Sequence, residues 1–129
     1  MTKYVLMIED DEEMLLLGKI ILDKGGYAAL TATNGLDGLA VLAENKDKIS
    51  LILLDIMLPG MYGWEILRTI KADESVKHIP VIMLTSVHHL DDQGQAKEYA
   101  ELYSDYVVKP FVVRDLLDKI AKGIQQAQN

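Results

Sequence analysis

Three observations predict an α/β fold in which a parallel sheet carries helices on both faces. Short apolar runs alternate five times with stretches of helical periodicity. The third run, Leu51 to Leu54, is continuous, as in a strand buried on both faces. Polar residues collect at the ends of the runs, where the loops of one sheet edge would lie. Right-handed crossovers then restrict the topology severely.

The elements follow in order. The first strand, Tyr4–Ile8, ends in the acidic run Glu9-Asp10-Asp11-Glu12-Glu13. Acids suit a helix N-terminus, and Asp is a good N-cap. The helix from about Glu12 to Lys24 places Met14, Leu17, Gly18, Ile21 and Leu22 on one face, and Gly25-Gly26 stops it. Tyr27–Thr33 is the second strand, and Asn34-Gly35 turns the chain. Leu36, Leu39, Ala40 and Ala43 recur at helical spacing and mark the inner face of a second helix, to about Asn45.

Ser50–Leu54 is the third strand, stopped by Asp55 and followed by a loop with Pro59, Gly60 and Gly63. Trp64, Leu67 and Ile70 mark a third helix that ends near Asp73. Pro80 opens the fourth strand, where a missing N–H is tolerated, and the strand ends at Thr85-Ser86. His88-His89-Leu90 reads as loop. Asp91 or Asp92 can cap a fourth helix with Ala96, Tyr99, Ala100 and Tyr103 inward, and Gly94 weakens its first turn. Asp105–Lys109 holds the fifth strand, which runs into Pro110-Phe111. Val113, Leu116, Leu117, Ile120 and Ile124 share one face of the last helix.

Composition narrows the function. The 129 residues suffice for one domain, expected to span 1–129, with 125–129 either a frayed terminus or the start of a linker. A formal net charge of -7 argues against a nucleic-acid or anionic-membrane surface. The absence of cysteine excludes a disulfide framework and a thiolate zinc site. No signal peptide or membrane-length apolar run is visible, so a cytoplasmic location is the expectation.

The strand ends carry complementary chemistry: Glu9 and Asp10, then Asp55, then Thr85, then Lys109. Each has an ordinary explanation. The acids can cap helices or turns, Thr85 can bond backbone, and Lys109 can be a surface lysine. Tyr106 is more often a core aromatic, and the adjacent His88 and His89 make a poor metal site. On one sheet edge, however, clustered carboxylates raise one another's pKa unless a cation intervenes. Magnesium suits an oxygen-only site. Acids, metal, hydroxyl and ammonium together suit phosphoryl transfer, with Asp55 as a nucleophile forming an acyl phosphate.

These residues also carry a resemblance. Ile8-Glu9-Asp10-Asp11, Leu54-Asp55-Ile56-Met57-Leu58-Pro59-Gly60-Met61, Leu84-Thr85-Ser86 and Asp105-Tyr106-Val107-Val108-Lys109-Pro110-Phe111 resemble the receiver domain of two-component response regulators. The likeness covers essentially the whole chain. It implies a flavodoxin-like, doubly wound (βα)5 fold with a five-stranded parallel sheet in the order 2-1-3-4-5. It implies that Asp55 accepts a phosphoryl group from a histidine kinase or phosphotransfer protein. Glu9, Asp10, Asp55 and the carbonyl of Met57 would hold Mg2+, and Thr85 and Lys109 would meet phosphoryl oxygens. Tyr106 would switch with Thr85, and the Lys109–Pro110 bond would be cis. Met57 and Val87 stand where receivers place the side chains that set the dephosphorylation rate. Both are apolar, so slow decay is expected.

Three positions depart from the common pattern. Tyr62 stands where Asp is frequent, Leu102-Tyr103 replace a small pair before the fifth strand, and Val112-Val113 begin the last helix. The expected role is signalling rather than enzymatic, through an output domain or target protein. Homodimerisation through the fourth helix, fifth strand and fifth helix stays open. So does whether the receiver stands alone or belongs to a longer regulator or hybrid kinase. The alternatives are a pseudo-receiver that binds partners without phosphorylation and a haloacid-dehalogenase-like phosphatase. The phosphatase would want an acid where Met57 stands. A cofactor-binding flavodoxin-like protein would need a phosphate-cradling loop, and none is present.

Overall fold

In the computed structural model, described for residues 2–86 and 95–128, strands and helices alternate along the chain. They are β1 Lys3–Ile8, α1 Glu12–Lys24, β2 Tyr27–Ala32, α2 Gly35–Asn45, β3 Ile49–Asp55, α3 Gly63–Ala72, β4 Val81–Ser86, α4 Gln95–Glu98, β5 Asp105–Lys109 and α5 Val113–Ala127. The strands form one sheet in the order β2-β1-β3-β4-β5, and every pairing is parallel.

The two-residue alternation of a strand divides the core between the sheet's faces. Leu6, Ile8, Ile52, Leu54 and Met83 pack with Leu42 of α2 and with Trp64, Ile66, Leu67 and Ile70 of α3. Val5, Met7, Leu51, Leu53, Ile82 and Leu84 pack with Ile21 and Leu22 of α1 and with Leu116, Ile120 and Ile124 of α5. Both faces of the central strands are therefore dry, which is why these strands read as continuous apolar runs.

Several boundaries and faces differ from expectation. In α2 the buried residues are Gly35, Gly38 and Leu42, whereas Ala40 and Ala43 are exposed and Leu36 is 74% exposed. The reason is close approach: a Cβ on Gly38 would lie 2.5 Å from Cδ1 of Ile8, so the missing side chain lets the helix settle on the sheet. The face follows the glycines rather than the larger apolar residues. Val113, at the start of α5, is exposed, although Leu116, Ile120 and Ile124 are buried as expected. Helix α5 continues through Ala127, so 125–127 form its last turn.

Among the described residues, helix α4 covers Gln95–Glu98, and turns follow it. Tyr99 and Tyr103 pack against the core from these turns, but Ala100 is exposed. Two of the expected inner residues, Tyr99 and Tyr103, thus reach the core from beyond Glu98, the last helical residue. His88, His89, Leu90, the proposed caps Asp91 and Asp92, Gly94 and Val87 lie outside the described residues.

Candidate functional site

Parallel pairing brings the carboxyl ends of four strands together. Glu9 follows β1 directly, Asp55 is the last residue of β3, Thr85 is next to last in β4, and Lys109 ends β5. Register aligns Asp55 with Leu84, and Ser86 with Lys109. The Lys109–Pro110 peptide bond is cis.

The acids divide their labour. The cap of α1 is Asp11, whose carboxylate accepts from the N–H groups of Glu13 at 2.9 Å and Met14 at 3.2 Å. Capping therefore occupies neither Glu9 nor Asp10. Glu9, Asp10 and Asp55 each present a carboxylate oxygen, and these oxygens lie within 4.8 Å of one another. Glu9 and Asp55 are buried, and Asp10 is exposed. Lys109 Nζ donates to Glu9 Oε1 at 2.8 Å and to Asp55 Oδ2 at 3.3 Å. Asp55 Oδ1 accepts from the N–H of Met57 at 3.2 Å, and Glu9 Oε2 accepts from that of Asp11 at the same distance. The turn-capping explanation of Asp55 is thus one part of a larger arrangement.

The cluster is short of positive charge. Burial, foremost, and contact with Asp55 hold the Glu9 carboxyl above the usual range, against the opposing pull of Lys109. Burial and the neighbouring Glu9 raise Asp10 as well. For Lys109, burial alone would lower the pKa, but the bond to Glu9 and the charges of Asp55 and Glu9 outweigh it and raise it. One ammonium faces three carboxylates. A hard divalent cation with oxygen ligands fits that donor set and the excess negative charge.

Thr85 is buried, and its hydroxyl donates to the carbonyl of Ser86 at 3.1 Å. Tyr106 is 41% exposed and so is not a core aromatic. Its carbonyl accepts from Lys119 Nζ at 2.8 Å, and the same ammonium lies 5.4 Å from the ring centroid. Tyr62 occupies the N-cap position of α3 but supplies no capping bond, a job the Asp usual there could do.

Sequence reading did not find three contributors. The N–H groups of Asp11 and Met57 bond the site's carboxylates, and a backbone donor has no sequence signature. Gly63 packs against the third strand's end: a Cβ there would lie 2.2 Å from the carbonyl oxygen of Asp55. Its N–H donates to the carbonyl of Ile56 at 2.8 Å. A glycine closing the loop after Pro59-Gly60 was the signal available.

Comparison with known proteins agrees with this fold. Residues 5–121 match the family model of the response regulator receiver domain. The uncharacterized transcriptional regulatory protein YkoG of Bacillus subtilis is 35% identical over 123 residues, which is 95% of this chain and 51% of that protein. The polar-differentiation response regulator DivK of Brucella ovis is 32% identical over 127 residues, 98% of this chain and 100% of that protein. A response regulator receiver domain protein from Clostridium thermocellum has a similar solved structure, with TM-score 0.86, 31% identity and coverage of 98% of this chain and 97% of that one. The chain spans about half the length of several curated relatives it matches. No helix among the described residues is long and apolar enough to cross a membrane. Nothing in these matches supports the phosphatase alternative, and the chain belongs to the response regulator receiver domain family.

Proposed function

We propose that Asp55 accepts a phosphoryl group from a phosphohistidine on a sensor kinase or phosphotransfer protein, and that the phosphorylated domain signals through an altered surface. The observation that carries this reading is the bridge of Lys109 Nζ between Glu9 Oε1 and Asp55 Oδ2 beside a third carboxylate, Asp10. A buried aspartate paired with an ammonium beside unneutralised acids can take a divalent cation, and ammonium and cation together would offset the charge of a phosphoryl group.

In the transfer, a carboxylate oxygen of Asp55 attacks phosphorus while the P–N bond breaks and its electron pair returns to the imidazole. Lys109 is already within reach of the carboxylate, and its ammonium can pass to a phosphoryl oxygen. Glu9, Asp10, Asp55 and the carbonyl of Met57 would hold magnesium. Bound there, the ion supplies the positive charge that phosphoryl transfer needs. Thr85 can exchange its bond to the Ser86 carbonyl for one to the phosphoryl group. Tyr106, exposed beforehand, can then move inward behind it. The two arrangements pre-exist, and phosphorylation biases their equilibrium.

The domain signals first and catalyses second, since its chemistry is its own phosphorylation and slow dephosphorylation. Apolar Met57, whose N–H bonds Asp55, and an apolar Val87 two residues after Thr85 in the sequence favour a long-lived acyl phosphate, because neither side-chain type orients an attacking water. An output domain or target protein receives the signal. To test the assignment, the protein is incubated with magnesium and a small phosphodonor. Intact mass should rise by one phosphoryl group, and Asp55→Asn should abolish the gain. Equal labelling of Asp55→Asn would refute it.

A further inference from the structure

Among the described residues of the site, Asp10 and Met57 are exposed, while Glu9, Asp55 and Thr85 are buried and Lys109 is partly covered. Asp10 belongs to the acid cluster. Met57 is thus a neutral, solvent-facing side chain among the described residues of the site, and its own N–H holds Asp55 Oδ1 at 3.2 Å. It is 41% exposed, whereas Met7 and Met83 are fully buried and Met14 and Met61 are partly covered. A thioether in this position is apolar and accepts hydrogen bonds only weakly. Its sulfoxide is polar, and methionine sulfoxide reductases reverse the change.

We propose that Met57 is an oxidation site through which peroxide shortens the life of the phosphorylated state. The proposal rests on the phosphoacceptor reading of Asp55. In the oxidation, a lone pair of Met57 Sδ attacks one oxygen of hydrogen peroxide. The O–O bond breaks, the sulfur loses two electrons and becomes a sulfoxide, and water leaves with both hydrogens. In the later hydrolysis, a water oxygen attacks phosphorus, and the bond from phosphorus to the Asp55 oxygen breaks. Its electron pair returns to the carboxylate, and the water's proton passes to phosphate or solvent. The sulfoxide oxygen accepts a hydrogen bond from that water and orients it, a role the thioether fills poorly.

The test compares peroxide-treated and untreated protein, each loaded with phosphoryl groups from a small donor in magnesium and then freed of donor. Peptide mass analysis should find the sulfoxide at Met57 before Met7 or Met83. The oxidised protein should lose its phosphoryl group at least about threefold faster, within the range that positioned acid–base groups command. Methionine sulfoxide reductase should restore the slower rate, and Met57→Gln should decay quickly without peroxide. Met57→Leu provides its own baseline, which peroxide should not move. Extensive Met57 sulfoxide with unchanged decay would overturn the proposal, as would equal acceleration in Met57→Leu or oxidation of the buried methionines first. Those results leave the phosphoacceptor reading standing. Failure of untreated protein to load at Asp55 would remove both.

Discussion

The indole of Trp64 lies stacked on the ring of Tyr99, with centroids 5.2 Å apart and planes 9° from parallel. Tyr103 meets the same indole at 5.7 Å, and Arg68 donates to the Tyr99 hydroxyl at 2.7 Å. The start of α3 thereby fastens the turns after α4. Aromatic pairs contribute roughly 0.5–1.5 kcal/mol beyond area burial, and an exposed hydrogen bond adds little more. Tyr99→Leu should therefore lower unfolding free energy by about 1–2 kcal/mol in a denaturant titration. An unchanged midpoint would mean that the stack is incidental.

Trp64 directly follows Gly63, which rests on the carbonyl of Asp55. Magnesium should therefore change Trp64 fluorescence, and Asp10→Asn should weaken the response by removing a charged ligand. A silent wild type, with calorimetry also finding no binding, would count against the metal site.

At Gly63 itself, any side chain must displace backbone. A Cβ would lie 2.2 Å from the Asp55 carbonyl oxygen and 2.8 Å from Ile56 Cα. Gly63→Ala should cost about 1–3 kcal/mol, the usual range for forced overpacking. It should also slow phosphorylation by moving Asp55. Normal stability together with normal labelling would show that the loop yields freely.

Acidity should act through Glu9 and Asp10, both held above the ordinary carboxylate range. Such groups keep their protons in the folded state at a pH where the unfolded chain has released them. Their contribution favours folding below the unfolded values and is lost as pH rises through the folded ones. Metal binding requires the ionised forms. Lys109, with its pKa raised, stays charged throughout. The stabilisation conferred by magnesium should therefore grow with pH from the ordinary carboxylate range upward. Thermal melts with and without magnesium, between about pH 4 and pH 8, would show it. An increment that shrinks as pH rises would contradict this assignment.

The Thr85 hydroxyl now spends its bond on the Ser86 carbonyl, and Tyr106 stands exposed. A phosphate mimic should bury Tyr106 and protect β5 amides from exchange. Thr85→Ala should retain labelling at Asp55 but lose most of that response. An undiminished response in Thr85→Ala would disconnect the two residues.

Strand positions and the residues at their ends were legible in the sequence, because apolar runs and their polar stops are local signals. Parallel pairing then obliges Glu9, Asp55, Thr85 and Lys109 to share one sheet edge. The resemblance supplied the strand order, which periodicity alone does not contain. Tertiary structure decided the rest. Leu36 outscores Gly38 in any hydropathy pattern, yet Gly38 is buried because only a glycine fits beneath Ile8. Among five consecutive acids, the one that caps α1 is Asp11, chosen by its backbone position at the turn. That Lys109 bridges Glu9 and Asp55 depends on residues 100 and 54 positions apart meeting across the sheet. Local sequence records which groups are charged. Their burial, and hence their shifted protonation, exists only after the sheet has assembled around them.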